Sequence, residues 1–119
     1  MPELPEVETV RIGLNQVTLN QPIVAGEILL ERTIANPTPT EFLSQLKTVS
    51  IIQWHRYGKY LLAELSSGWL GVHLRMTGQL LWMNQAEPLQ KHTRVRLFFP
   101  DDRELRFVDQ RTFGQMWFV

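Results

Sequence analysis

Cysteine is absent from the 119 residues of this chain. Its absence excludes disulfides and thiolate metal sites within these residues and fits a reducing compartment, the cytoplasm. Long apolar runs are missing too, and none approaches the ~20 residues that span a bilayer. The opening residues Pro2-Glu3-Leu4-Pro5-Glu6-Val7-Glu8 are acidic where a secretory signal is basic, and no apolar stretch follows them. Net charge is lacking as well, with 12 Lys+Arg against 12 Asp+Glu, which at first argues against a polyanionic partner. The balance hides an asymmetry. Residues 1–53 hold three Lys/Arg and six Asp/Glu, a net of −3, whereas residues 54–119 hold nine and six, a net of +3. The basic side chains there include Arg56, Lys59, Arg75, Lys91, Arg94, Arg96 and Arg111. They fit either a polyanion contact or a solvated surface.

What is present is a chain 44% hydrophobic and 20% charged, of a size for one globular domain with a single core. One helix is expected at the start. Pro5 suits its first turn, Glu6 and Glu8 suit the positive end of its dipole, and Val7, Val10, Leu14 and Val17 recur at helical spacing. A second short helix is expected over 40–47, with Thr40 as its N-cap. The remainder reads as strands over 23–31, 49–56, 60–65, 69–74, 79–83, 93–99, 104–108 and 114–119, with hairpin turns at Ser66-Ser67-Gly68 and Pro100-Asp101-Asp102. The expected fold is mainly β with flanking helices, an antiparallel two-sheet sandwich or flattened barrel of about eight strands. The apolar end Met116-Trp117-Phe118-Val119 reads as an interrupted strand, so more protein is expected to follow.

Prolines at positions 2 and 5 bracket Glu3. From spacing alone this is a helix entry. Chemistry admits a second reading. Methionine before proline is readily removed, which would leave Pro2 with a free secondary amine. An α-amino group, of ordinary pKa ~7.7–8.0, keeps a useful neutral fraction at pH 7. Attack of a secondary amine on a sugar C1′ gives an iminium ion, an electron sink that acidifies C2′ and promotes loss of a 3′ phosphate. Glu3 could move a proton at the sugar or leaving base, and Glu6 could orient that end or stabilise the cation.

Residues 1–10, Met1-Pro2-Glu3-Leu4-Pro5-Glu6-Val7-Glu8-Thr9-Val10, resemble the start of formamidopyrimidine-DNA glycosylase, a bacterial enzyme that excises 8-oxoguanine and ring-opened purines. The resemblance recurs at Arg56-Tyr57-Gly58-Lys59-Tyr60-Leu61, at His73-Leu74-Arg75-Met76-Thr77-Gly78 and at Asp109-Gln110-Arg111-Thr112-Phe113-Gly114. It implies an N-terminal β-sandwich flanked by helices, so that residues 1–119 form the N-terminal catalytic domain. It also implies Pro2 as nucleophile with Glu3 as acid/base partner, and base excision repair by a bifunctional N-glycosylase and abasic-site lyase acting through β,δ-elimination. The implied partner is double-stranded DNA containing oxidised purines or abasic sites, met by a monomer in the bacterial cytoplasm. No soluble cofactor enters this chemistry.

The resemblance also gives the DNA-facing residues. Lys59, otherwise a solvated turn lysine, would contact a phosphate beside the lesion. His73, otherwise a satisfied core histidine, would bond a phosphate. Met76 and Phe113 read as core and Arg111 as a surface charge when the family is ignored. Within it they fill the gap left by an extruded nucleotide, with the Arg111 fork on the orphaned cytosine. This set resembles the purine-lesion branch rather than the endonuclease VIII branch, whose preference is oxidised pyrimidines. Two departures, Arg11-Ile12 and Arg56-Tyr57 where paired arginines are usual, each remove a positive charge. The family's helix–two-turn–helix element and four-cysteine finger with one structural zinc are not in this chain, so weak or no activity is expected of residues 1–119 alone. The competing readings are a non-catalytic DNA-binding module and a generic β-sandwich interaction domain.

Overall fold

A computed structural model describes residues 4–119, so Pro2 and Glu3 lie outside the described residues. The first helix, α1, runs Leu4–Val17. Glu6 lies in its first turn, and Glu8 and Arg11 pair across one turn at 2.6 Å. Val7 and Leu14 are buried and Val10 is partly buried, but Val17 is 43% exposed. The buried stripe instead continues to Thr18, whose hydroxyl donates to the Leu14 carbonyl at 2.8 Å and accepts the Trp54 indole N–H at 2.8 Å. A hydroxyl takes the last inward position because a buried indole needs a partner there.

The second helix, α2, spans Pro39–Leu46 and is capped by Thr38, not Thr40. The Thr38 side chain accepts the Glu41 amide at 3.2 Å, with Pro39 in the first helical turn. Thr38-Pro39-Thr40-Glu41 is thus a capping-box spacing, and proline needs no helical partner in that turn. Phe42 and Leu46 are fully buried.

Nine strands follow or separate these helices: β1 Ala25–Ile28, β2 Ile34–Asn36, β3 Ile51–Tyr57, β4 Tyr60–Leu65, β5 Trp69–His73, β6 Gly78–Asn84, β7 Thr93–Phe99, β8 Arg103–Asp109 and β9 Gln115–Phe118. They form a four-stranded sheet in the order β1-β7-β8-β6 and a five-stranded sheet in the order β2-β9-β5-β4-β3. The strand expected over 23–31 is shorter. Leu29 and Leu30 both donate to the Arg94 carbonyl, a 3₁₀ turn follows over Glu31–Thr33, and β2 then pairs parallel with β9. The sandwich is therefore mixed at one margin. Both expected hairpin turns form. At the second, Asp101 and Asp102 take φ of 63° and 58°, the left-handed pair of a type I′ turn.

The two sheets bury one core that includes Trp54, Leu61, Leu70, Leu97, Leu105 and Phe107. The helices close its two open sides: α1 packs on β3, β4 and β6, and α2 on β1, β2 and β9. Asn15 of α1 covers the edge strand β3 by accepting the Trp54 amide at 2.7 Å and donating to the Trp54 carbonyl at 3.0 Å. The outer side of the four-stranded sheet is strapped by the segment after β6. Arg106, wholly buried, donates to the carbonyls of Glu87 and Pro88 at 2.7 and 2.9 Å and to Glu104 at 2.8 Å. Burial alone would raise the Glu104 carboxyl, but hydrogen bonds from Arg96 and Arg106 outweigh it and hold it below the usual carboxylate range.

Candidate nucleic-acid interface and active site

Strand register gathers the motifs. Tyr57 pairs with Tyr60, Tyr60 with His73, and His73 with Gln115, which places the β3–β4 turn, the end of β5 and the start of β9 in one row. Gly78 pairs with Asp109 on the other sheet. Residues 74–77 therefore cross from the five-stranded to the four-stranded sheet, and residues 110–114 cross back beside them at the same end.

Lys59 follows Gly58, whose φ of 61° supplies the left-handed first position of a two-residue hairpin. The turn is tied to α1. Arg56 donates to the Gly58 carbonyl at 3.0 Å and to Glu8 at 2.9 Å. Hydrogen bonds from Arg11 and then Arg56 bring the Glu8 carboxyl down to about 2.

His73 is half-buried at the end of β5, its ring 4.4 Å from that of Tyr60. Burial, reinforced by the nearby Arg75 and Lys59 cations, pushes it below the usual histidine value, so it is neutral at pH 7. Its Nδ1 is buried without a hydrogen-bond partner among the described residues. That differs from the satisfied core histidine which an apolar strand alone would imply.

Met76 and Phe113 are 42% and 51% exposed, so the core reading that hydrophobicity alone gives them is overturned. Arg111 is exposed, with its guanidinium carbon 5.5 Å from the centre of the Phe113 ring. Glu6 is exposed on α1 and lines a cleft of about 400 Å³ together with Val10, Leu74, Met76 and Gln79. The start of α1 and the Met76 loop thus share one opening. Glu6, Lys59, His73, Met76, Arg111 and Phe113 all belong to this end of the sandwich, and Pro2 and Glu3 precede α1 outside the described residues.

The basic surplus of residues 54–119 does not form one patch. Arg96 is held by Glu104 at 2.8 Å and Glu27 at 3.0 Å, Arg106 is buried, and Arg56 is paired with Glu8. A four-cysteine zinc site has no ligands within this chain, which contains no cysteine. Among the described residues no cluster of three or more His, Asp or Glu could hold a metal ion, and no helix is long and apolar enough to cross a membrane. Two motif residues given no role from sequence, Thr77 and Asp109, prove to be hydrogen-bonded to each other at 2.6 Å. The available signal was the acid that opens Asp109-Gln110-Arg111-Thr112-Phe113-Gly114, a motif whose one other charge is basic.

Fold and site together define a helix-flanked β-sandwich domain of the class found in DNA-bound glycosylases. The wild-type Lactococcus lactis Fpg solved with DNA containing N7-benzyl-Fapy-dG superimposes with a TM-score of 0.94 at 33% identity, covering 99% of this chain and 44% of that one. The same enzyme with abasic-site DNA gives 0.93 at 32% identity, over 98% and 43%. The chain belongs to the formamidopyrimidine-DNA glycosylase family, whose N-terminal domain profile matches residues 1–116. It is similar to the formamidopyrimidine-DNA glycosylases of Trichormus variabilis, at 69% identity over all of this chain and 44% of the relative, and of a Nostoc species, at 66% over all of this chain and 45% of the relative. The chain thus spans less than half the length of these curated relatives.

Proposed function

We propose that residues 1–119 supply the N-terminal catalytic domain of a base-excision-repair enzyme, a bifunctional DNA N-glycosylase and abasic-site lyase for 8-oxoguanine and formamidopyrimidines. The observation that carries this reading is the gathering of the lysine turn, the half-buried histidine and the exposed Met76, Arg111 and Phe113 at the end where α1 begins.

Phosphates beside the lesion meet Lys59 and His73, the second through a ring nitrogen that carries no net charge. Met76 and Phe113 enter the stack as the damaged nucleotide leaves it, and the Arg111 fork takes the orphaned cytosine. The Pro2 nitrogen, once Met1 is removed, attacks C1′ and forms the new C–N bond. The glycosidic bond breaks, and the base leaves with a proton delivered through Glu3. The proline nitrogen then gives up its proton, and its electron pair opens the sugar ring by breaking the C1′–O4′ bond, so that O4′ leaves as a hydroxyl and C1′ becomes the iminium carbon. The iminium loses a C2′ proton, and the electron pair expels the 3′ phosphate; a second elimination releases the 5′ phosphate. Glu6 orients the amino end or stabilises the cation. These steps use no soluble cofactor, and the cytoplasm of a bacterial cell is the proposed setting.

The test is borohydride trapping with the full-length protein on abasic-site DNA, after mass spectrometry has verified a Pro2 terminus. A covalent adduct that disappears when any residue precedes Pro2 supports the reading. No adduct from a verified terminus leaves a non-catalytic DNA-binding module. One Lactococcus lactis complex holds an oxidised pyrimidine, so the substrate panel should contain both lesion classes. Preference for pyrimidines would move the proposal to the endonuclease VIII-like branch.

A further inference from the structure

Two short loops carry the side chains proposed to enter the duplex: residues 74–77 carry Met76, and residues 110–114 carry Arg111 and Phe113. Nothing covalent fixes their spacing, since they lie more than thirty residues apart in sequence. A buried carboxylate joins them. Asp109, 1% exposed at the end of β8, accepts the Thr77 hydroxyl at 2.6 Å and the Arg111 amide at 3.3 Å through Oδ1, and the Gly114 amide at 2.7 Å through Oδ2. The Thr77 oxygen in turn accepts the Arg111 amide at 3.1 Å. One carboxylate and one hydroxyl thus fix both ends of the 110–114 loop and the exit of the 74–77 loop.

The flanking glycines make room for this arrangement. A Cβ on Gly114 would sit 2.5 Å from Phe107 and 2.9 Å from the Asp109 Oδ2, and one on Gly78 would sit 2.4 Å from the Leu74 carbonyl. Each loop also holds a non-glycine residue in the left-handed region, Arg75 at φ 57° and Thr112 at φ 61°. Such backbone persists where surrounding bonds over-determine it. Charge-assisted bonds to a buried carboxylate are of the strength required.

We propose that Asp109 and Thr77 form a clamp that positions Arg111 relative to Met76, and so sets how strictly the protein reads the base opposite the lesion. Neither residue touches the DNA in this role; both act through the Arg111 backbone. The inference rests on the duplex-reading role proposed above for Arg111. Loosening the clamp lets the guanidinium reach bases other than cytosine, because donor placement within a fraction of an ångström decides such readout.

Asp109 is buried, and its replacement risks unfolding, so the decisive variant in the full-length protein is Thr77→Val, which keeps the shape and deletes the hydroxyl. The measured quantity is the ratio of lesion incision rates opposite cytosine and opposite adenine. A general loss of stability or activity lowers both rates and leaves the ratio unmoved. The ratio should fall about tenfold in Thr77→Val, the scale of one hydrogen bond to a charged group, and Thr77→Ser should restore it to within about twofold. A Thr77→Val ratio equal to that of the parent overturns the clamp, as does a Thr77→Ser ratio as low as that of the valine variant. A parent protein that incises neither duplex overturns the repair reading and this inference with it.

Discussion

Glu8 and Lys59 are linked through Arg56 although they sit on different elements. Glu8 accepts from Arg11 and Arg56, and Arg56 also donates to the Gly58 carbonyl at the lysine turn. With its folded value at about 2 against an ordinary 4.5, the Glu8 carboxylate contributes stability that is present above pH 4.5 and lost as pH falls through about 2. Thermal unfolding across that window should therefore show a shallower acid loss for Glu8→Gln than for the parent. His73 has the same sign: its value is lowered by burial and by two cations, so stability falls as pH drops below the ordinary histidine range, and His73→Asn should flatten that slope. Lys59→Ala in the full-length protein should weaken DNA binding across all sequences and reduce the salt dependence of log K by about one unit, as loss of a single phosphate contact does. An unchanged salt slope would leave Lys59 as a solvated turn residue.

The elements show where local rules were enough and where they were not. The hairpins at 66–68 and 100–102 and the Gly58 turn follow from residue chemistry alone, because only a few residues tolerate left-handed backbone there. The α2 cap was misplaced by two residues because both Thr38 and Thr40 are capping residues, and only Glu41, three after Thr38, decides between them. Thr38→Ala should cost about 1 kcal/mol in chemical denaturation, whereas Thr40→Ala should cost little. The short strand β2 was invisible because its parallel pairing with β9 is a long-range contact that no local pattern encodes. Val17 misled for a related reason. Its helical spacing is correct, yet the inward position goes to Thr18, which satisfies the Trp54 indole. Thr18→Val should leave that N–H unpaired and destabilise by roughly 1–3 kcal/mol.

At the scale of the molecule, the candidate site was legible as motifs but not as an assembly. Met76, Arg111 and Phe113 could be named from the sequence, but their exposure depends on two loops that change sheets at one end, a property of the topology. The charge asymmetry was only half informative, because Glu104 buries the charge of Arg106 and takes that of Arg96 on the strapped sheet. Arg106→Met would strand Glu104 beside a single partner and should destabilise the domain by about 3–5 kcal/mol by chemical denaturation. Residues 1–119 expressed alone should bind lesion DNA far more weakly than the full-length protein, and fluorescence anisotropy on both would measure the difference.

The loop bearing Met76 is four residues long, the one bearing Arg111 and Phe113 is five, and both are rooted in strand ends. Such a tip has no slack with which to follow a ligand. Under the proposed function, any mismatch of shape on contact is absorbed by the bending of the nucleic acid, and a duplex that kinks readily at the damaged step should be engaged faster than a stiff one carrying the same lesion.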